Sequence, residues 1–423
     1  MPPRLAHLAL LGCLALTLLA PSAKAIDLHR GVSLDTWETW PDDARLAEPG
    51  FLDVFPEWRR SIGMEKIVHL RESGFDFVRM PIDPFAFLSE NGAPKAGHLL
   101  QQTLEAVAEI RNAGLKVVVD LHARPVSKSR SVGTETYLDN PEAFQNYLRL
   151  VRDLAKTLAA TDPESVAFEV MNEPTYECDR PPPGQTARWP GQLRQLYEAA
   201  RGPAPKLPII LSGACWGGGY GLARLGKDDV TPAMIADANV LWSFHNYEPF
   251  LVTHQGASWS EPPMPYVSGI VYPPVCESEA VQSVLLDRIS KRIAESAPDA
   301  ETLQSLTEAA ATRLADYCLP GQAAKLLRRP FELADAWAEQ MHIPAKRLFL
   351  GEFGMIRDDS PGTVTTREQR AVLMHDIRME ADERGIGWAV WSHGGSFGIT
   401  LDDDSRKVDP LIAKALGLPG EGP

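Results

Sequence analysis

Residues 165–174 read Ser-Val-Ala-Phe-Glu-Val-Met-Asn-Glu-Pro. An apolar run passes, without clean alternation, straight into a polar turn sequence. A strand with one wet face alternates polar and apolar residues. A run like this fits a strand of a parallel sheet covered on both faces. The same form recurs at residues 31–34, 77–82, 116–122, 207–215, 240–247, 347–353 and 387–391.

Helical signals fill the intervals. Leu100, Leu104, Val107 and Ile110 share one helical face, with Gly114 as a stop. Asn140-Pro141 and Thr231-Pro232 each pair an N-cap residue with a first-turn proline, and Thr365-x-x-Glu368 reads as a capping box. Eight strands, each followed by a helix or long loop, predict an α/β fold, a closed (β/α)8 TIM barrel. An open doubly wound sheet is the structural rival. One long insertion is expected between strands 6 and 7, at residues 250–329. It begins rich in proline and turns helical around Val281, Val284, Leu285 and Ile289.

The chain has 423 residues, 44% hydrophobic and 23% charged, with a formal net charge of −14. These fractions exclude a disordered, collagenous or multi-span membrane protein. Residues 1–25 read as a secretory signal peptide: Arg4, an apolar run through Ala20, then Ala23-Lys24-Ala25 as the cleavage site. This leaves residues 26–423 as a single domain, secreted or periplasmic, with no membrane segment after cleavage. Its acidity disfavours nucleic acid as a partner, and a monomer is expected. In an oxidising compartment Cys178, Cys215, Cys276 and Cys318 allow two bridges in three pairings. Cys178–Cys215 and Cys276–Cys318, each joining neighbouring loops, are the pairings expected; free buried thiols are the alternative.

In such a barrel the chemistry lies at the C-terminal ends of the strands. Those ends carry Arg79, His122, Asn172-Glu173, His245 with Tyr247, Glu352 and Trp391. Glu173 and Glu352 stand out. Two carboxylates facing each other across one mouth equip a site for glycoside hydrolysis, one protonated to release the leaving oxygen, the other ionised to attack or to activate water. Trp37, Trp40, Trp216 and Trp242 lie on or just past strand ends and are candidates for sugar-stacking subsites or for packing. Arg124, Lys128 and Arg130 form a basic loop after the third strand.

Taken in order, RGVSLDTW, GFDFVRMP, VVVDLH, FEVMNEP, FHNY, LGEFG and WAVW make the chain resemble glycoside hydrolase family 5, the cellulase-like retaining β-glycosidases, from about Arg30 to Gly398. The resemblance implies Glu173 as general acid and then base, and Glu352 as nucleophile. It implies Asn172 on the sugar 2-hydroxyl, and Arg79 and Tyr247 as partners of Glu352. His122 and His245 would line the subsite before the scissile bond, over Trp391 as its platform. The expected substrate is a β-linked polysaccharide, first a β-1,4-glucan, with other β-glucans, mannan or an exopolysaccharide as alternatives. Transglycosylation and a non-catalytic carbohydrate-binding protein are the competing readings.

Other motifs lead nowhere. Gly221-x4-Gly226-Lys227 ends in Asp228, where a phosphate loop needs Ser or Thr. Gly394-x-Ser396-x-Gly398 has no histidine after it to serve an esterase. With no HExxH or CxxC pair, no metal or cofactor is expected. Asp402, Asp403 and Asp404 read as a solvated turn rather than a Ca²⁺ site.

Overall fold

The structure, a computed structural model, describes residues 26–34, 47–50, 63–123, 133–175, 178, 187–296, 299–357, 365–404 and 406–419. The signal-peptide segment, Trp37, Trp40 and the basic loop Arg124, Lys128 and Arg130 lie outside the described residues. No helix among those described is long and apolar enough to cross a membrane.

Eight strands appear where the apolar runs stand: β1 Arg30–Ser33, β2 Phe77–Ile82, β3 Lys116–Leu121, β4 Val166–Glu169, β5 Ile209–Ser212, β6 Val240–Asn246, β7 Leu348–Phe353 and β8 Gly387–Val390. They close in chain order, all parallel, with β8 pairing back onto β1. The open-sheet rival is excluded. Between them run α1 Met64–Glu72, α2 Ala96–Asn112, α3 Pro141–Leu158, α4 Trp189–Arg201, the short α5 Gly219–Ala223, then α6 Glu279–Glu295, α7 Ala300–Tyr317, α8 Gln322–Gln340 and α9 Arg367–Glu383; α10 Pro410–Ala415 follows β8.

The caps follow local chemistry. Asn140 accepts from the amides of Glu142 and Ala143, and Thr231 from that of Met234. The capping box is displaced by one residue from the expected position. Thr366 and Gln369 form it, because Thr365 is buried and its hydroxyl donates to the Ile356 carbonyl instead.

Inside the barrel, Phe77, Val118, Ala167, Ile210, Leu241, Phe349 and Ala389 pack over Ile26 and Leu28 as an apolar plug. β1 contributes Gly31 here, because the Phe77 ring fills the space where a Cβ would stand, at 2.1 Å. With a period of two, the next inward positions are Ser33, Arg79, Asp120, Glu169, Ser212, Ser243 and Gly351. The interior thus changes from apolar to polar within one step along β1 to β6, and the site rests on that polar floor. A second apolar layer, between strands and helices, forms the main core.

The insertion opens with loops around residues 254–275, then folds as α6 and α7, bracketed by the Cys276–Cys318 disulfide. The Tyr317 hydroxyl donates to the Val271 carbonyl, and that of Tyr272 to Asp376 on α9, so the opening loop is tied to the barrel. The Gln255 side chain bridges to the backbone of Ile270 in both directions. Residue 329 falls within α8, which packs on β6 as a barrel helix.

Candidate active site

Arg79 projects from β2 into the centre of the mouth and is wholly buried. Its Nε donates to Glu169 Oε2 (2.7 Å), Nη1 to Glu352 Oε1 (2.6 Å) and Nη2 to Asn172 Oδ1 (2.7 Å), with Asp120 Oδ2 2.9 Å from Nη2. The fixed fork of a guanidinium can hold four oxygens from three strands in one plane of donors. Burial alone would lower the pKa of Arg79; Asp120, Glu169 and Glu352 outweigh it and raise it, so the cation persists. Arg79→Met would leave three buried carboxylates with only His245 and His122 as cationic neighbours. A loss of about 3–5 kcal/mol is expected at pH 7, shrinking as the pH falls and the acids protonate. Urea melts at pH 7 and pH 5 test this; wild-type stability at pH 7 would contradict it.

Sequence inspection passed over Asp120 and Glu169. Asp120 lies within β3, and Glu169 within the apolar run that starts at Ser165, ahead of the polar turn. β4 closes at Glu169 rather than at Asn172, since the Val170 carbonyl takes the hydroxyl of Tyr147 from α3. The period of two, counted from Val118 and Ala167, was the signal that could have found them. Asp120 Oδ2 also accepts from His122 Nδ1 at 3.0 Å, which fixes that ring's tautomer. His122 Nε2 then accepts from Asn172 Nδ2 at 3.2 Å.

Glu352, on β7, is 3% exposed. Besides Arg79 it accepts from the Tyr247 hydroxyl at 2.8 Å. Burial pushes its pKa up, but His245, Arg79, His122 and the Tyr247 hydrogen bond pull harder and bring it to about 2. Glu173 leaves β4 with φ at 43°, a left-handed backbone unusual for a side-chain-bearing residue. A quarter of its side chain is open to the mouth. His245 Nδ1 lies 2.8 Å from its Oε1. Burial raises the pKa of Glu173; the His245 hydrogen bond opposes this, and the charge of Glu352 reinforces it. Glu173, His245 and Glu352 each offer an atom within 4.8 Å of the other two. Between β6 and β7 the register shifts, Phe244 facing Leu350 and His245 facing Glu352, so Gly351 of β7 is the extra residue and Glu352 lies beside His245.

Trp391, half-buried past β8, stacks on His122 with ring centres 5.2 Å apart at 19°. Trp216 stands 57% exposed beside Glu173, its amide donating to the Pro174 carbonyl at 2.9 Å. Cys215, Trp216 and Gly217 all have positive φ, and the Cys178–Cys215 disulfide ties this turn to the loop after Glu173. Trp242 is not a subsite candidate. It is wholly buried, edge-on to Trp337, because its place in β6 points out of the barrel toward the helices. Trp259, which sequence inspection did not single out, is 56% exposed and lies near Phe397, which packs edge-on against Tyr247. Its signal was an aromatic between two serines shortly after the sixth strand.

The rejected motifs have structural uses. The Gly226 amide is taken by the Asp229 carboxylate. Residues Gly395–Phe397 form a short 3-10 turn rather than entering a long helix. Asp403 pairs with Arg357 and accepts from the Gly395 amide.

The sequence model of the cellulase family, glycosyl hydrolase family 5, matches residues 52–396. The chain belongs to glycosyl hydrolase family 5. It is therefore a glycoside hydrolase acting on O-glycosyl bonds. Endoglucanase C of Acetivibrio thermocellus is 25% identical over 348 residues, covering 82% of this chain and 88% of that protein. Cellodextrinase A of Ruminococcus flavefaciens is 28% identical over 243 residues, covering 56% and 63% respectively. Among solved structures, a hyperthermophilic endo-β-1,4-glucanase in complex with substrate aligns with a TM-score of 0.60 and 21% identity, over 94% of this chain and 98% of that one. At that identity the likeness concerns the fold.

Proposed function

We propose that this family 5 member is an exported, monomeric, retaining endo-β-glycosidase that hydrolyses a β-1,4-glucan by double displacement. One observation carries the reading: Glu173 and Glu352 bring oxygens within 4.8 Å of each other, while their surroundings push their proton affinities apart. A retaining site holds its two carboxyls ~5–5.5 Å apart, and an inverting one needs ~6.5–9.5 Å to admit water between them. The spacing favours retention.

Glu352, ionised, attacks the anomeric carbon. Glu173, protonated, passes its proton to the glycosidic oxygen as the bond breaks. The alcohol leaves, and the sugar stays bound to Glu352 as an ester. Glu173, now a base, takes a proton from water, which displaces Glu352 and restores both groups. Arg79 and Tyr247 hold the two oxygens of Glu352, so it approaches in one orientation. His245 holds Glu173 in the same way. Asn172, fixed by Arg79 and His122, is placed for the 2-hydroxyl of the sugar lying on Trp391. Trp216, beside Glu173, offers a ring to the leaving-group side.

The relatives named as endoglucanases and a cellodextrinase support a β-glucan substrate. The experiment is proton NMR of the first product from a soluble β-1,4-glucan oligomer. The β anomer is expected before mutarotation; a first-formed α anomer would overturn the mechanism.

A further inference from the structure

The mechanism above leaves two buried carboxylates without a task. Asp120 and Glu169 are 0% and 1% exposed, and both bear on the guanidinium that also holds Glu352. The other titratable groups around them are His122 on Asp120, Tyr147 and Tyr137 on the helix side, and Glu173, His245 and Tyr247 across the mouth. His245 stands against Glu173 and Glu352, at 2.8 and 3.7 Å. The Arg79 guanidinium, helped only by His245, which must also serve Glu173, thus faces three carboxylates in a place without bulk water. Leaving all three ionised costs several kcal/mol per uncompensated charge, and proton uptake relieves that cost. Asp120 Oδ1 adds a second sign, being buried with no hydrogen-bond partner. Burial raises both carboxyls to about 7 in spite of Arg79, and each is raised further by a neighbouring acid, Asp120 by Glu352 and Glu169 by Asp120.

We propose that Asp120 and Glu169 are positioning residues acting through Arg79: protonated in mildly acidic medium, they leave its charge to Glu352, and on ionising they divert it and add negative charge behind Glu173. The inference rests on the roles proposed above for Glu352 and Glu173. The sign of its consequence follows. While the two acids are neutral, the acid limb of kcat/KM is set by Glu352 alone. As the pH passes neutrality they ionise, Glu173 holds its proton more tightly, and the basic limb is carried upward. Glu169→Gln keeps an oxygen for Arg79 Nε but never ionises. Its basic limb on a β-1,4-glucan is therefore expected at a lower pH than the wild type's, by roughly half to one unit, with the acid limb unmoved. A merely structural role would lower activity at every pH and leave both limbs in place, which would overturn the proposal.

Infrared titration supplies a test independent of turnover. In Glu173→Gln, which silences the acid/base group, a protonated-carboxyl band is expected at pH 5 and lost by pH 9. Adding Glu169→Gln, or Asp120→Asn should that variant fail to fold, removes one carboxyl's share of it. Absence of a band titrating in this range sinks the proposal. An intact band with a first-formed α anomer faults the mechanism instead.

Discussion

Glu352→Ala is expected to abolish turnover, lowering kcat/KM on the order of 10⁵-fold even for aryl β-glycosides with activated leaving groups. Without the carboxylate no covalent ester forms. The fold should survive, because Arg79 retains Glu169, Asp120 and Asn172 as partners. The Ala side chain leaves room where Arg79 and Tyr247 still point donors, which suits a small anion. Added azide should therefore restore part of the activity and yield a glycosyl azide of inverted anomeric configuration. A folded variant that keeps its activity, or that forms no azide adduct, would remove Glu352 from the role of nucleophile.

Glu173→Ala is expected to divide substrates by leaving group. Proton transfer contributes about 10²–10⁴-fold, and only poor leaving groups need it. Hydrolysis of β-glucan should fall by that factor, whereas the first step on a dinitrophenyl glycoside should barely change. The second step then lacks its base, so a burst of phenol followed by slow turnover is expected in stopped-flow. The pH profile should change shape as well. In the wild type Glu352, held at about 2, is ionised across the working range, and activity should fall on the alkaline side as Glu173, its pKa raised by burial, loses its proton. The variant has no such proton to lose, and its alkaline limb should flatten. Equal losses on both substrate types would count against this assignment.

Much of this was legible in the chain. Each apolar run became a strand, since burial on both faces writes itself into local composition. Asn140-Pro141 and Thr231-Pro232 began helices where expected, because a cap needs only its own next three residues. The one-residue displacement to Thr366 shows the limit: Thr365 and Thr366 are chemically alike, and only the Ile356 carbonyl decides between them. Trp242 was undecided from sequence for the same reason. An aromatic near a strand end packs outward or lines the mouth according to the register of the closed barrel.

The chain by itself determined eight strands in parallel order, polar residues at their ends and two glutamates within family motifs. These are properties of neighbours in sequence, governed by periodicity and turn chemistry. The family resemblance already implied that Arg79 would meet Glu352; only the tertiary structure decided that the same guanidinium would also gather Asp120, Asn172 and Glu169 around itself. It also set the surroundings that lower the proton affinity of Glu352 and raise that of Glu173. Two identical side chains acquire opposite proton affinities because desolvation and Coulomb attraction depend on distance through space, and closing the barrel sets those distances.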